Sequence, residues 1–243
     1  MAVMSPIRVL VRTPDYAVVD KPSGLTVHRS RGSTERVFAL QLVRDLLGQR
    51  VHPVHRIDRG ASGCLLFALS SSAARELQAA MSDPQARKTY IALCRGRWTA
   101  GEGPILVDNP MKDDNRRLKD AATEVLCLAT TAQPRCSLVR ARPRTGRYHQ
   151  VRRHVRDLNH PVIGDSQHGD TKFNRVWRDQ HGLARLALHC HRLELPAAGI
   201  DVACPLPEDL AGPLRRVPFY ERALREWPDL FAGAPPCEPP SSL

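Results

Sequence analysis

Apolar positions along this chain fall into short clusters whose spacing switches between the two-residue period of strands and the longer period of helices. Residues 7–11 and 16–19 are β-branched runs separated by Thr13-Pro14-Asp15, a strand, turn, strand pattern that delivers the Lys21-Pro22-Ser23-Gly24 turn. Over residues 36–47, Val37, Leu40, Val43 and Leu47 recur at helical spacing, with Glu35 in the first turn and Gly48 after the last. That spacing predicts a core-facing helix. One strand is expected over 51–57 and another over 64–69. Ser70 can then cap a helix over 71–81 whose Ala73, Leu77, Ala80 and Met81 share a face. Further strands are predicted over 88–94, 105–107, 123–128 and 184–195, and a helix over 173–181. Residues 111–120 are polar, mixed in charge and aperiodic, and read as a solvated loop. Strands outnumber helices and come in adjacent runs without βαβ alternation, which predicts an α+β fold: a mixed, mostly antiparallel sheet flanked by helices.

Composition narrows the setting. A chain of 243 residues can bury a sizeable core, and one catalytic domain over residues 1–233 is the simpler division, followed by a Pro- and Ser-rich tail over 234–243 expected to be disordered. No internal repeat is visible. The 36 basic and 25 acidic residues give a net charge of +11 and a pI near 9.8, which favours a polyanionic partner. Seven cysteines without a C-x-x-C pair read as reduced thiols of a cytoplasmic protein. The N-terminus offers no apolar stretch long enough for a secretion signal, and no window reaches transmembrane length, so no membrane role is expected. The histidines lack metal-ligand spacing, and no metal is assigned.

Three stretches carry candidate chemistry. His55-Arg56-Ile57-Asp58-Arg59-Gly60-Ala61-Ser62-Gly63 sets an acid between two arginines at a Gly-closed turn. Those cations favour an ionised carboxylate able to act as nucleophile or base. An aspartate that merely closes the turn fits the same residues. In Lys88-Thr89-Tyr90 a tyrosine opens a strand after a basic pair, where it would serve equally as a half-buried core residue. Residues 135–156 hold eight arginines and no acid. After the Thr145-Gly146 turn, Val151, Val155 and Leu158 have the spacing of a buried helical stripe, with His149, Arg152, Arg153 and Arg156 on a neighbouring stripe. A solvated charged face fits the same residues; against it, the run lacks the balancing acids of a salt-bridged helix, and its opening Gly turn could leave backbone amides free for phosphate.

The strings around Asp58 and around Thr145-Gly146-Arg147-Tyr148-His149-Gln150-Val151-Arg152-Arg153-His154 resemble the signatures of the RluA-type pseudouridine synthases. Ile57 and Ala61 replace the usual Leu and Thr. Lys21-Pro22-Ser23-Gly24 and Lys88-Thr89-Tyr90 match two further family elements, and the resemblance spans residues 16–195. It implies a curved sheet crossed by the active-site cleft, Asp58 as the catalytic residue, Arg56 displacing the target base, Tyr90 stacking on it and Arg152 pairing with Asp58. Arg147, His149, Arg153 and Arg156 are the accompanying candidates for RNA binding. The reaction implied is isomerisation of uridine, which consumes nothing and requires no cofactor. Asp58 could attack C1′ or take a ribose proton. Lys21 lies too near the start for a preceding S4-type RNA-binding domain, which is therefore not expected.

Val27-His28-Arg29-Ser30, the doubled Arg152-Arg153 and Asp165-Ser166-Gln167-His168-Gly169-Asp170 look like the branch acting on uridine 65 of tRNA, in the T stem. Ribosomal RNA is the alternative substrate, and a non-catalytic RNA-binding module a third reading. A monomer without an obligate protein partner is expected.

Overall fold

The computed structural model describes residues 7–29, 35–113 and 115–232. The proposed tail, residues 234–243, and Ser30 lie outside them. β1 (Arg8–Arg12) and β2 (Tyr16–Lys21) pair antiparallel across a turn whose Thr13 hydroxyl accepts the Tyr16 N–H at 3.1 Å. Next come α1 (Ala39–Leu47), β3 (His52–Pro53), β4 (Ser62–Ala68), α2 (Ser71–Met81) and β5 (Arg87–Arg95). β6 (Ile105–Val107), β7 (Met111–Lys112) and β8 (Leu118–Lys119) precede the long hairpin of β9 (Thr123–Ala132) and β10 (Arg135–Pro143). α3 (Gln150–Asp157), α4 (Thr171–His181), β11 (Leu188–Leu195), β12 (Ile200–Ala203), α5 (Glu208–Leu214) and α6 (Tyr220–Glu226) complete the order.

Among the described residues one sheet runs β1-β2-β4-β11-β5-β10-β9-β6, with β12 on β11 and β3 on β4. The β11–β4 pairing is parallel and the other pairings are antiparallel. This is the mixed, mostly antiparallel α+β sheet that the run of strands predicts. β4 is buried along its whole length because both faces are covered. Its side chains alternate between two cores, as a pleated strand requires: Leu65 and Phe67 join Val19, Ala39 and Val43 under α1, whereas Cys64, Leu66 and Ala68 face the main core with Ala73 and Leu77 of α2. α2 begins where expected, its Ala73 N–H donating to the Ser70 hydroxyl at 3.1 Å.

Several elements depart from expectation for identifiable reasons. The strand foreseen over 51–57 shrinks to β3. Pro53 has no N–H to give a ladder, and the His55 ring takes over a backbone role, its Nε2 accepting the Leu66 N–H at 3.2 Å. α1 starts at Ala39 rather than near Arg36: the Gln41 side chain accepts the Phe38 N–H at 3.1 Å, while Glu35 lies outside the first turn and pairs with Arg59 at 3.4 Å. Where a solvated loop is expected over 111–120, β7 and β8 pair antiparallel. Met111 is buried, and the Asp113 carboxylate accepts the N–H groups of Asn115 and Arg117 at 2.9 Å each. Arg135, Arg140 and Arg142 belong to strand β10, so α3 holds fewer of the eight arginines than their density suggests.

Gly63 decides how closely β4 and β11 approach. Its φ is +108°, and a Cβ there would lie 2.2 Å from the Cys190 carbonyl oxygen. Gly63→Ala is expected to lower folding stability by at least about 3 kcal/mol, combining overpacking with a strained backbone. Urea denaturation of the purified variant measures this; a loss within error of zero would mean that the strands can part without cost.

Candidate active site

Asp58 sits in the turn between β3 and β4, which closes when the Ala61 N–H donates to the Asp58 carbonyl at 3.1 Å. The Lys21–Gly24 segment after β2 grips this turn from below. Gly24 N–H donates to the Arg59 carbonyl at 2.8 Å, and the Ser23 hydroxyl donates to the Gly60 carbonyl at 2.6 Å. Lys21 is fully buried, and its ammonium donates to the carbonyls of Pro22, Leu25 and Arg59 at 2.8, 2.7 and 3.3 Å. Burial, and next Arg185, push the Lys21 pKa down to about 7, against the pull of Asp58 and Asp20. The Lys-Pro-x-Gly element thus acts as a brace for the Asp58 turn.

The second half arrives from 94 residues away, on α3. Arg152 donates to Asp58 through one contact at 3.2 Å, and to Asp165 through two contacts of 2.7 Å each. Such a forked pairing fixes the plane of the guanidinium. Asp165 is itself held, since its Oδ1 also accepts the N–H groups of Gln167 and His168 at 2.9 Å. Asn174 completes the lock by accepting the Gly164 N–H at 2.8 Å and donating to the Asp165 carbonyl at 2.9 Å. Burial opposes charge on both partners. The mutual hydrogen bonds outweigh it, raising the Arg152 pKa and lowering that of Asp165.

The loop before α3 is equally constrained. The Gln150 side chain accepts from the Thr145 hydroxyl and the Arg147 N–H at 2.7 and 2.9 Å, and donates to the Ala122 carbonyl and Thr123 hydroxyl at 2.9 and 3.0 Å. His149 holds a left-handed backbone (φ +52°) that aims its ring at His168, at 3.0 Å between ring nitrogens, with Tyr148 stacked on it at 3.6 Å. Burial above all pushes the His149 pKa down to about 4, so the ring is neutral near pH 7.

These elements enclose a cleft of about 170 Å³ lined by Arg56, Asp58, Lys88, Tyr90, Arg147 and His149, among others. Asp58 keeps 22% of its side-chain surface exposed and is therefore reachable from the cleft. Tyr90 is nearly buried. Burial first, then Cys190 and Asp58, hold its phenol proton well above the ordinary range. Of the expected residues, Arg152 lies behind Asp58, and Arg153 and Arg156 lie outside the cleft lining. Arg156 is turned to Asp157, just past the acid-free run, at 2.6 Å. The two arginines flanking Asp58 in sequence do not act alike. Arg59 turns away to Glu35 and Gly24, and Arg56 is exposed at the cleft mouth. Asp165 and Lys88 were not foreseen. A Gly-Asp turn carries no mark of its distant partner, and Lys88 adjoins a tyrosine that drew the attention. Among the described residues no His, Cys, Asp and Glu cluster could hold a metal; His189 and His191 both turn to the Cys204 carbonyl.

An aspartate and an arginine meeting at a cleft that also holds a buried tyrosine, among cations on a basic protein, suit the class of enzymes that act on a polyanion. Residues 15–157 match the RNA pseudouridylate synthase family. A tRNA pseudouridine synthase C from Pasteurella multocida is 41% identical, covering 77% of this chain and 84% of the relative, and one from Salmonella typhi is 39% identical over 78% and 80%. The solved human RNA Pseudouridylate Synthase Domain Containing 4 shares the fold with a TM-score of 0.70 at 23% identity, covering 86% of this chain and 92% of that one. The chain belongs to the RNA pseudouridylate synthase family, and it is an enzyme of that class.

Asp165→Asn leaves the turn its size but unfastens Arg152. A misplacement near 1 Å costs about 10²-fold, so kcat is expected to fall by about that factor with RNA affinity within a few-fold of wild type. Breaking the buried pair is also expected to lower stability by about 3 kcal/mol. Single-turnover kinetics with urea melts of the same preparation test both; unchanged kcat would free Arg152 from dependence on Asp165.

Proposed function

We propose that this protein isomerises uridine to pseudouridine in tRNA, at position 65, with Asp58 as the catalytic residue. The observation that carries the proposal is the meeting of Asp58 with Arg152, 94 residues apart in the chain, at the edge of a cleft lined by Tyr90. Support for tRNA comes from the relatives, several of them named tRNA pseudouridine synthase C. Position 65 rests on the strings at residues 27–30 and 165–170.

A uridine within a stem must leave its stack before a carboxylate can reach C1′, which costs a few kcal/mol. Arg56, exposed at the mouth and without an ion-pair partner among the described residues, is suited to fill the vacated space. Tyr90 offers a ring for the extruded uracil. Arg152 directs the Asp58 carboxylate. Arg147, Arg153 and Arg156 supply phosphate contacts around the entrance, and neutral His149 shapes the wall. The enzyme acts as a monomer in the cytoplasm, without an obligate protein partner; among the described residues no helix is long and apolar enough to cross a membrane, and the described cysteines are free.

Asp58→Asn keeps size and polarity while removing the negative charge. It is expected to abolish pseudouridine formation and to leave RNA affinity within a few-fold. A variant converting uridine near the wild-type rate would sink the assignment of Asp58.

The substrate is tested by incubating wild-type enzyme with unmodified tRNA and with ribosomal RNA fragments, then locating pseudouridine by primer extension after carbodiimide treatment. A stop at position 65 of tRNA is expected. Modified ribosomal fragments beside untouched tRNA would transfer the same chemistry to another RNA.

A further inference from the structure

Lys88 is the charged residue of the cleft lining to which the proposed reaction has so far given no task. On β5 it lies two residues from Tyr90, so the pleat turns both side chains to one face. Both line the cleft that contains Asp58. The Lys88 ammonium has no hydrogen-bond or ion-pair partner among the described residues, unlike buried Lys21 with its three carbonyls. Burial lowers the Lys88 pKa, and its charge is felt by His55 behind it. A partly dehydrated cation without a counter-charge is a standing cost to the fold. Groups of this kind gather where a ligand supplies the missing charge.

The isomerisation creates such a charge. When the N1–C1′ bond breaks, its electron pair remains on N1, whether Asp58 has bonded to C1′ or has taken a ribose proton. The detached uracil is an anion spread over its ring and two exocyclic oxygens. The charge disappears again when C5 donates an electron pair to C1′, as the Asp58–C1′ bond breaks and returns its pair to the carboxylate or as Asp58 gives the ribose its proton back; C5 then gives up its own proton and N1 gains one. Uracil is neutral at the start, neutral at the end and negative only between.

We propose that the Lys88 ammonium hydrogen-bonds an exocyclic oxygen of the detached uracil and balances its charge while the ring turns against Tyr90. The inference rests on the reaction proposed above and gives Lys88 a catalytic role beside that of Asp58. Because the attraction grows only as the ring becomes charged, it accelerates the chemical step more than it strengthens binding.

The test pairs two variants with two RNAs. Lys88→Met and Lys88→Arg are compared with wild type in single turnover on a tRNA stem carrying uridine or 5-fluorouridine at the target, following disappearance of the starting nucleoside by chromatography of nuclease digests, because a fluorinated C5 has no proton to give up and its product stops short of the pseudouridine form. Loss of one donor to a developing anion costs about 10²–10³-fold, which is the expected fall for Lys88→Met on uridine. Fluorine withdraws electrons and stabilises the detached ring by itself, so on 5-fluorouridine the loss should shrink to under about tenfold on the same scale. Lys88→Arg should recover part of the uridine rate. RNA affinity should stay within a few-fold, and thermal melting of Lys88→Met should match or exceed wild type, since an unpaired cation has been removed. Equal losses on both RNAs would overturn the proposal, as would weakened affinity with unchanged rate, the signature of a phosphate contact. A wild-type enzyme inactive on both would overturn the reaction itself, and this inference with it.

Discussion

One guanidinium sits between two carboxylates, and the site is arranged around that imbalance. Arg152 gives Asp165 two short contacts and Asp58 a single longer one. The stronger partner fixes the arginine, leaving the weaker partner directed but not consumed. The three groups carry a formal net charge of minus one, which resides on Asp58, the carboxylate proposed to react. Once Asp58 loses its charge, by forming a bond or accepting a proton, the remaining pair is neutral and no buried arginine is left alone. An arginine with Asp58 as its sole partner would instead become an unpaired, dehydrated cation at the moment of reaction.

The surrounding fold is largely a means of holding that trio. Asp58 lies in a turn whose Arg59 carbonyl is held by the Lys21 ammonium, Arg152 on a helix whose entry loop is locked by Gln150, and Asp165 in a loop pinned by Asn174. Behind the Asp58 turn a chain of buried hydrogen bonds runs from Arg185 to the Ser62 hydroxyl, on to the His189 ring and to the Cys204 carbonyl, at 2.7, 2.8 and 2.8 Å. The Ser62 hydroxyl accepts from Arg185 and bonds the His189 ring, and the Cys204 carbonyl takes both His189 and His191, so the residues that follow Asp58 in sequence are tied to β11 and to the segment after β12. Satisfied polar networks of this kind rigidify what they connect.

Much of this was legible in the sequence where function is written in consecutive residues. Asp58, Arg56, Arg147, His149 and Arg152 stand in two contiguous strings, and the strands over 105–107 and the helix over 71–81 follow the plain alternation of apolar positions. What escaped was information held in distances. Asp165 gains its meaning from Arg152, thirteen residues earlier but adjacent in space. Lys88 is notable for what it fails to touch, which no local pattern records. β10 was hidden by its own arginines, since Arg140 and Arg142 face Glu124 across the hairpin and lend the run the look of a binding surface. α5 was hidden by Gly212 and Pro213, residues that argue against a helix until tertiary packing overrules them.

The place of β11 in the sheet sets a schedule for the newborn chain. β4 and β5 are neighbours in sequence, yet β11 lies between them, paired with both. Asp58 just before β4 and Tyr90 on β5 therefore cannot take up their working separation while that gap is empty. Until residue 195 has left the ribosome, the segments that resemble a finished active site remain two unjoined halves. Such late, long-range closure slows folding, and it makes the geometry between Asp58 and Tyr90 depend on a strand from the last third of the chain.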